Sequence, residues 1–141
     1  MRSDRLAARL LGLAVAAFAA PAGAEQFTTA AEVKPMLDVT RANWVALREY
    51  DGKDQLLFTQ ILAWRCGIER IDYAVNDGKK TRLKVEPCHE GETRPNDIKA
   101  TDIPPYVTFP VGSVKSVTVW LEYDDGSADK QDYKRKKILS R

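Results

Sequence analysis

A cysteine next to a histidine is the pair of residues in this sequence best suited to catalysis. Cys88 and His89 are adjacent, with Glu90 and Glu92 close behind, and a thiolate beside an imidazole is the basis of cysteine nucleophilic catalysis. Neighbouring residues of an extended strand point to opposite sides, however, which is poor geometry for such a pair. The other cysteine of the chain is Cys66. We therefore predict a Cys66–Cys88 disulfide and assign no catalytic residue.

The same residues are poor candidates for a metal site. His89 is the single histidine, and Glu90, Glu92 and Asp97 have neither zinc-site nor EF-hand spacing. The glycines lack the spacing of a phosphate-binding loop, and no serine stands in a nucleophile elbow. No metal or other cofactor is predicted, and His89, Glu90 and Glu92 are kept as candidate binding residues of a loop.

Three tryptophans offer a second kind of chemistry, because an indole face stacks on a sugar ring or a peptide. Trp64 ends a strongly apolar segment, and we assign it to the core. Trp44 and Trp120 are the candidate binding residues.

The C-terminal segment is the third candidate. Residues 130–141 contain six basic side chains and one acidic one. Lys134, Lys136 and Lys137 are candidates for binding an acidic partner or an envelope polyanion. A solvated edge strand, which lysines protect against further pairing, explains the same charges.

The first 24 residues have the pattern of a cleavable secretory signal. A start containing three arginines is followed by the apolar run Leu10–Ala20 and by Ala22-Gly23-Ala24, a small-x-small cleavage site. The apolar run is shorter than the ~20 residues that cross a bilayer, so no transmembrane segment is predicted. We expect a periplasmic or secreted protein with one domain over residues 25–141, in a compartment that favours disulfides.

Removing the signal also changes the charge. The chain has 22 basic and 20 acidic residues, and residues 1–24 contain three of the basic and one of the acidic ones, which leaves 19 of each. A domain without net charge gives no argument for nucleic-acid binding.

Helix and turn signals organise the rest of the chain. Thr29 and Glu32 have the spacing of a capping box, so a helix begins there, shortened or kinked by Pro35. Asp51-Gly52 suits a type I′ turn, which sets Leu47 opposite Leu56. The second strand of this hairpin is predicted over residues 55–65, in the centre of a sheet.

A second hairpin is predicted around Asn76-Asp77-Gly78. A three-residue loop, a type I turn ending in a left-handed glycine, pairs residues whose numbers sum to 154. Ile71 then faces Leu83, Asp72 faces Arg82 and Cys66 faces Cys88.

The remaining segments complete a mainly β fold. Residues 89–105 lack periodicity and form a long loop, where a binding site is expected first. Strands are predicted over residues 106–109 and 114–123, and an edge strand over 127–138 follows the turn Asp124-Asp125-Gly126. We predict an antiparallel sandwich or meander of about six to seven strands with a short N-terminal helix.

Several runs resemble an uncharacterised family of small exported bacterial proteins with one cysteine pair. They are Glu32–Leu37, Trp44–Asp54, Trp64–Gly67, Glu86–Cys88 and Tyr123–Ser127. The resemblance implies no known activity. We expect a non-catalytic periplasmic binding or accessory domain whose partner is a protein or an envelope component. The alternative is a small envelope hydrolase or an inhibitor of one; as a hydrolase it would need His89.

Overall fold

The structure is a computed structural model that describes residues 14–18 and 26–140. Most of the predicted signal, residues 1–24, lies outside these ranges, so it stays a prediction. Within them the chain is mainly β, with seven strands in two antiparallel sheets and a few short helices, which confirms the predicted fold class. The strands are β1 (Ala46–Tyr50), β2 (Lys53–Leu57), β3 (Ile68–Val75), β4 (Thr81–Arg82), β5 (Tyr106–Pro110), β6 (Ser116–Tyr123) and β7 (Ala128–Lys134).

Helix α1 (Ala30–Val39) begins at the predicted capping box. The Thr29 hydroxyl accepts from the Glu32 amide at 3.4 Å, and the Glu32 carboxylate accepts from the Thr29 amide at 3.1 Å. Pro35 lies inside the helix, which is ten residues long and continues beyond the proline to Val39. Val33 and Leu37 are fully buried against the sheets, and this packing stabilises the helix beyond its proline.

The first sheet has the strand order β1-β2-β5. Leu47 pairs with Leu56 as predicted, β2 is central, and Asp51 and Gly52 have the positive φ angles of a type I′ turn. The prediction that β2 reaches residue 65 is wrong. It ends at Leu57, and helix α2 (Thr59–Leu62) follows.

The error has a physical reason. Short apolar runs do not distinguish a strand from a buried helix. Here Ile61 and Leu62 are buried from a helical turn rather than from a strand. A 3-10 helix over Arg65–Gly67 then leads into β3.

The second sheet has the order β4-β3-β6-β7. Asp72 pairs with Arg82, and Leu83 donates its amide to the Ile71 carbonyl at 2.9 Å, as the predicted register requires. The predicted turn type is wrong, because Asn76 and not the glycine has a left-handed φ, as does Asp77.

The disulfide is confirmed, although not the continuous ladder that was expected to lead to it. Cys66 and Cys88 are bonded, with their Cα atoms 5.0 Å apart. Strand β4 is only two residues long, and Cys66 lies in the 3-10 helix. The bridge therefore joins the 3-10 helix to a segment without secondary structure, and the strand pairing does not extend to either cysteine.

Removing the disulfide is expected to lower the free energy of unfolding by about 3 kcal/mol. A bridge across a sequence separation of 22 residues restricts the unfolded chain by this order of magnitude. The measurement is urea unfolding of the double variant Cys66→Ser, Cys88→Ser beside the oxidised protein. A loss below about 1 kcal/mol would contradict the expectation.

Strands β6 and β7 close the second sheet. Val117, Val119, Leu121 and Tyr123 are buried, as the alternation predicts. β7 lies at the sheet edge, as expected, but ends at Lys134 and is followed by helix α3 (Arg135–Ile138) rather than by more strand. Ile138 is buried, and Ser140 donates its amide to the Leu47 carbonyl at 2.7 Å. The C-terminal segment thus crosses from the second sheet to the first.

A buried ion pair fixes this crossing. The Asp54 carboxylate on β2 is 0 % exposed and lies 2.6 Å from Arg135. It also accepts from the amides of Gly112 and Val114, each at 3.0 Å. The bond from Arg135, helped by the two amides, lowers the pKa of Asp54 to about 2. Asp54 therefore stays ionised and connects β2 to the β5–β6 connection and to α3.

Candidate functional site

Trp120 lies on the outer face of the four-stranded sheet. Its neighbours on β6, Val119 and Leu121, are buried in the core, and side chains alternate along a strand, so Trp120 points away from the core. Its ladder partners are Asp72 on β3 and Lys130 on β7. The indole therefore lies in the middle of the sheet rather than at its edge, and it is half-buried.

Two lysines lie over this indole. The Lys80 ammonium is 4.7 Å from the ring centroid and the Lys130 ammonium is 5.7 Å from it. Both distances are within the range of cation–π attraction. Lys80 belongs to the β3–β4 connection and Lys130 to β7, so the two cations come from opposite sides of Trp120.

These side chains border a cavity of about 710 Å³. We call it the Trp120 groove. The lining residues that matter here are Ala74, Lys80, Thr118, Trp120, Lys130 and Lys134.

Acidic groups are placed among these cations. The Thr118 hydroxyl donates to Asp132 at 2.6 Å. Asp72 is 4 % exposed, and its Oδ2 accepts from Arg70 at 2.6 Å. Asp72 Oδ1 has no hydrogen-bond partner among the described residues. An unpaired buried acceptor costs about 1–3 kcal/mol, but Asp72 is not among the residues that line the groove, so a ligand reaches this oxygen only when a side chain beside it moves.

The structure contradicts Trp44 as a binding residue. Trp44 is 0 % exposed, and its indole nitrogen donates to the Leu37 carbonyl at 2.8 Å. The ring is part of the hydrophobic core beside α1. Trp64, assigned to the core, is partly buried and packs against the Phe27 ring at 4.9 Å.

The loop over residues 89–105 has no helix or strand, as predicted. Glu92 is bonded to Lys99 at 2.9 Å, and this bond lowers the pKa of the Glu92 carboxyl below its ordinary value. His89 lies 3.5 Å from Glu86, and Glu90 is exposed.

The disulfide removes the thiol that a catalytic pair would use. Cys88 is bonded to Cys66, so no thiolate stands beside His89. The loop candidates are also separate from the Trp120 groove, which contains none of them.

Arg65 holds this loop in place, and it was not among the residues that the sequence analysis singled out. Arg65 is 4 % exposed, and burial lowers the pKa of its guanidinium from the ordinary value. All five of its N–H groups donate to backbone carbonyls. The acceptors are Glu86 at 2.8 Å, Leu62 at 3.0 Å, Asn96 at 2.7 Å, Pro87 at 3.0 Å and Asp97 at 3.0 Å.

Asn96 adds a second anchor for the loop. Its side-chain oxygen accepts from the Cys66 amide at 2.9 Å, and its nitrogen donates to the Phe27 carbonyl at 2.8 Å. One signal pointed to Arg65, namely a single charged residue that ends an apolar run just before a cysteine.

The basic C-terminal candidates separate in the structure. Lys134 lines the Trp120 groove beside Lys130. Lys136 and Lys137 are exposed on α3, outside the groove. Of the sequence candidates, only Trp120 and Lys134 therefore come together. Lys80, which completes the site, was not among them.

The chain matches no protein-family model, no curated protein and no solved structure. Within the residues that the structure describes, no helix has the length and hydropathy of a membrane span. Nor do three or more His, Cys, Asp or Glu side chains in this part of the chain meet as they would around a metal ion. The geometry of the Trp120 groove is thus the main basis for a functional proposal.

Proposed function

We propose that this protein is a non-catalytic binding domain of the periplasm or the cell exterior, and that the Trp120 groove binds its ligand. One observation carries the proposal: a half-buried indole on the outer sheet face lies between two lysine ammonium groups, at 4.7 and 5.7 Å. The ligand that fits is anionic and has a flat apolar face.

Binding exchanges one set of contacts for another. A cation–π contact at an exposed site is worth about 0.5–1 kcal/mol, so a ligand anion readily draws either ammonium away from the ring. The indole face is then free to stack on the apolar part of the same ligand. Charge and ring therefore act together, and the ligand needs both features.

Protection of the sheet edge does not account for all of the charges. Lysines on β7 discourage edge-to-edge pairing, which explains Lys130 and Lys134. Lys80 lies on the other side of Trp120, in the β3–β4 connection. Lys80 directly precedes β4, which is the other edge strand, so its position alone does not separate the two roles. What favours a site is that its ammonium lies over the Trp120 ring in the middle of the sheet.

We expect anionic polymers to change the Trp120 indole signal in ¹H–¹⁵N correlation spectra of the exported protein. The probes are polygalacturonate, poly-L-glutamate and polyphosphate, with neutral dextran as a control. At least one anionic probe is expected to shift the indole N–H of Trp120 and the amides of β6 and β7. Trp120→Ala is expected to abolish binding or weaken it about tenfold, from the lost ring contact.

The matched variant is His89→Ala, which removes the candidate residue of the 89–105 loop. We expect it to bind as the unaltered protein does. Shifts confined to the loop and lost in His89→Ala would overturn the proposal, as would a Trp120 signal that no anionic probe moves.

A further inference from the structure

We propose that the ligand of the Trp120 groove is an acidic polysaccharide, a glycan with carboxylate groups, lying lengthwise along β7. This inference rests on the proposed function and names its ligand class. Two further features carry it. One is a pair of carboxylates beside the lysines, Asp132 in the lining of the groove and the buried Asp72 next to Lys80. The other is the length over which the lysines are spread.

The carboxylates discriminate between kinds of anion. Asp132 and Asp72 lie on the same outer face as Trp120, because Asp132 pairs with Thr118 and Asp72 with Trp120. A polyphosphate offers only acceptor oxygens, which these carboxylates repel. A glycan offers hydroxyl donors as well, and an ionised carboxylate accepts from them strongly. A sugar acid therefore satisfies both the lysines and the aspartates.

Asp72 does not line the groove, but it lies beside Lys80 and becomes reachable when that lysine moves. Its Oδ1 is buried and has no partner within the described part of the chain, while the Lys80 ammonium lies 4.0 Å from its Oδ2. Lys80 thus contacts both Asp72 and the Trp120 ring. When Lys80 turns to a ligand carboxylate, Asp72 loses a cation, and a neighbouring sugar hydroxyl can donate to it instead.

The floor of the groove suits a ring. Ala74 and Thr118 pair with each other across β3 and β6. Thr118 is two residues before Trp120 on β6, so it lies on the same face, and both side chains are small. Both line the groove, so its wall beside the indole is formed by small side chains, and a sugar ring can lie there with its C–H face against the aromatic surface.

The spread of the lysines sets the length of the ligand. Lys130 and Lys134 are four residues apart on one strand, which is about 13 Å at a rise of roughly 3.3 Å per residue. One sugar ring is shorter than this separation of the two backbone positions. We therefore expect an oligosaccharide to bind and its monomer to bind much more weakly.

The test is calorimetric titration of the exported protein with tetragalacturonate. Galacturonic acid, maltotetraose, poly-L-glutamate and polyphosphate are the comparison probes. Tetragalacturonate is expected to bind at least about tenfold more tightly than the monomer or the neutral oligosaccharide. Its affinity is expected to fall as salt rises, because salt screens the lysines.

Paired variants separate the groove from general charge attraction. Lys80→Gln with Lys130→Gln is expected to lower affinity for tetragalacturonate about tenfold. The matched pair, Lys53→Gln with Lys137→Gln, removes the same charge from exposed positions outside the groove. It should change the affinity less than about twofold.

Asp72→Asn gives a change of opposite sign for the two kinds of anion. It removes a negative charge, which favours both polyanions, so affinity for polyphosphate should rise. Tetragalacturonate also loses the ionised acceptor of its hydroxyl, and we expect this loss to outweigh the gain and lower its affinity about fivefold. Asp72→Ala is the second variant, for use if the amide refolds poorly.

The outcomes distinguish the two proposals. If poly-L-glutamate or polyphosphate binds most tightly in the groove, the proposal of an acidic polysaccharide is wrong, and the proposal that the groove binds an anionic ligand is kept. An increase of the affinity for tetragalacturonate in Asp72→Asn would also contradict the proposal of an acidic polysaccharide. If no probe binds through Trp120, both proposals are wrong.

Discussion

Replacing Arg65 by methionine is expected to lower the free energy of unfolding by about 3–5 kcal/mol. The guanidinium is buried and bonds to two carbonyls within the loop and two just before it, and to one in the preceding helix. The acceptors are Asn96 and Asp97, Glu86 and Pro87, and Leu62. Removing one member of a buried charged network leaves several desolvated acceptors unpaired, and losses of this size are typical. Since domains are stable by only about 5–15 kcal/mol, this variant is expected to be near its folding limit.

Urea unfolding of Arg65→Met beside Arg94→Met measures the effect. Arg94 is in the same loop, but its side chain is 78 % exposed and pairs with Asp97 at the surface. Such pairs contribute about 0–1 kcal/mol, so Arg94→Met should be close to the unaltered protein. Equal losses in the two variants would show that Arg65 does not hold the loop.

Arg65→Lys adds a geometric test of the same prediction. An ammonium keeps the charge but has three donors in place of five, without the planar fork. We expect Arg65→Lys to be only partly rescued, with faster hydrogen exchange in residues 86–97 than in the unaltered protein. Full rescue would mean that charge alone, and not the five bonds, anchors the loop.

The parts of the fold that could be predicted depend on neighbours in sequence. Thr29 and Glu32 form their capping box within one turn, and Asp51-Gly52 sets the pairing of Leu47 with Leu56 without help from the rest of the chain. These motifs are local, since each uses donors and acceptors a few residues apart. Their outcome does not depend on tertiary structure.

The predictions of local structure were wrong where contacts with residues distant in sequence determine the conformation. The apolar run after Leu57 forms a helix because the core buries Ile61 and Leu62 from a helical turn. Asn76 takes a left-handed φ while its amide side chain bonds to the Ser113 carbonyl at 2.7 Å, 37 residues away. No local pattern contains that contact.

The candidate site divides in the same way. Trp120 and Lys130 are neighbours through a hairpin, which the turn at Asp124-Asp125-Gly126 predicts. Lys80 reaches the indole only because β3 and β6 are adjacent, although 40 residues of chain lie between these two strands. Adjacency of strands that do not follow one another is a property of the whole sheet, so Lys80 could not be found from spacing.

The ion pair between Asp54 and Arg135 is expected to make a similarly large contribution. Arg135 closes two bonds on the Asp54 carboxylate, at 2.6 and 3.1 Å, and the remaining acceptor positions face the amides of Gly112 and Val114. Asp54→Asn places an NH₂ group opposite N–H donors, two from Arg135 and one each from Gly112 and Val114. It also removes the negative charge opposite Arg135. We expect it to lower the free energy of unfolding by about 3–5 kcal/mol.

The dependence on pH distinguishes this ion pair from a merely well-packed carboxylate. The pKa of Asp54 is about 2 in the folded protein and about 3.9 in an unfolded chain. The pair is therefore fully stabilising above the unfolded value, and roughly 2–3 kcal/mol of its contribution is lost as pH falls through the folded one. Asp54→Asn has no carboxylate to protonate, so it cannot lose this part of the stability. Its unfolding free energy should therefore approach that of the unaltered protein at low pH.

The control variant Glu49→Gln removes the other, half-exposed carboxylate beside Arg135. It should lower the free energy of unfolding by less than about 1 kcal/mol. A difference between Asp54→Asn and the unaltered protein that stays constant from neutral pH to pH ~2 would show that the charge of Asp54 does not hold the two sheets together.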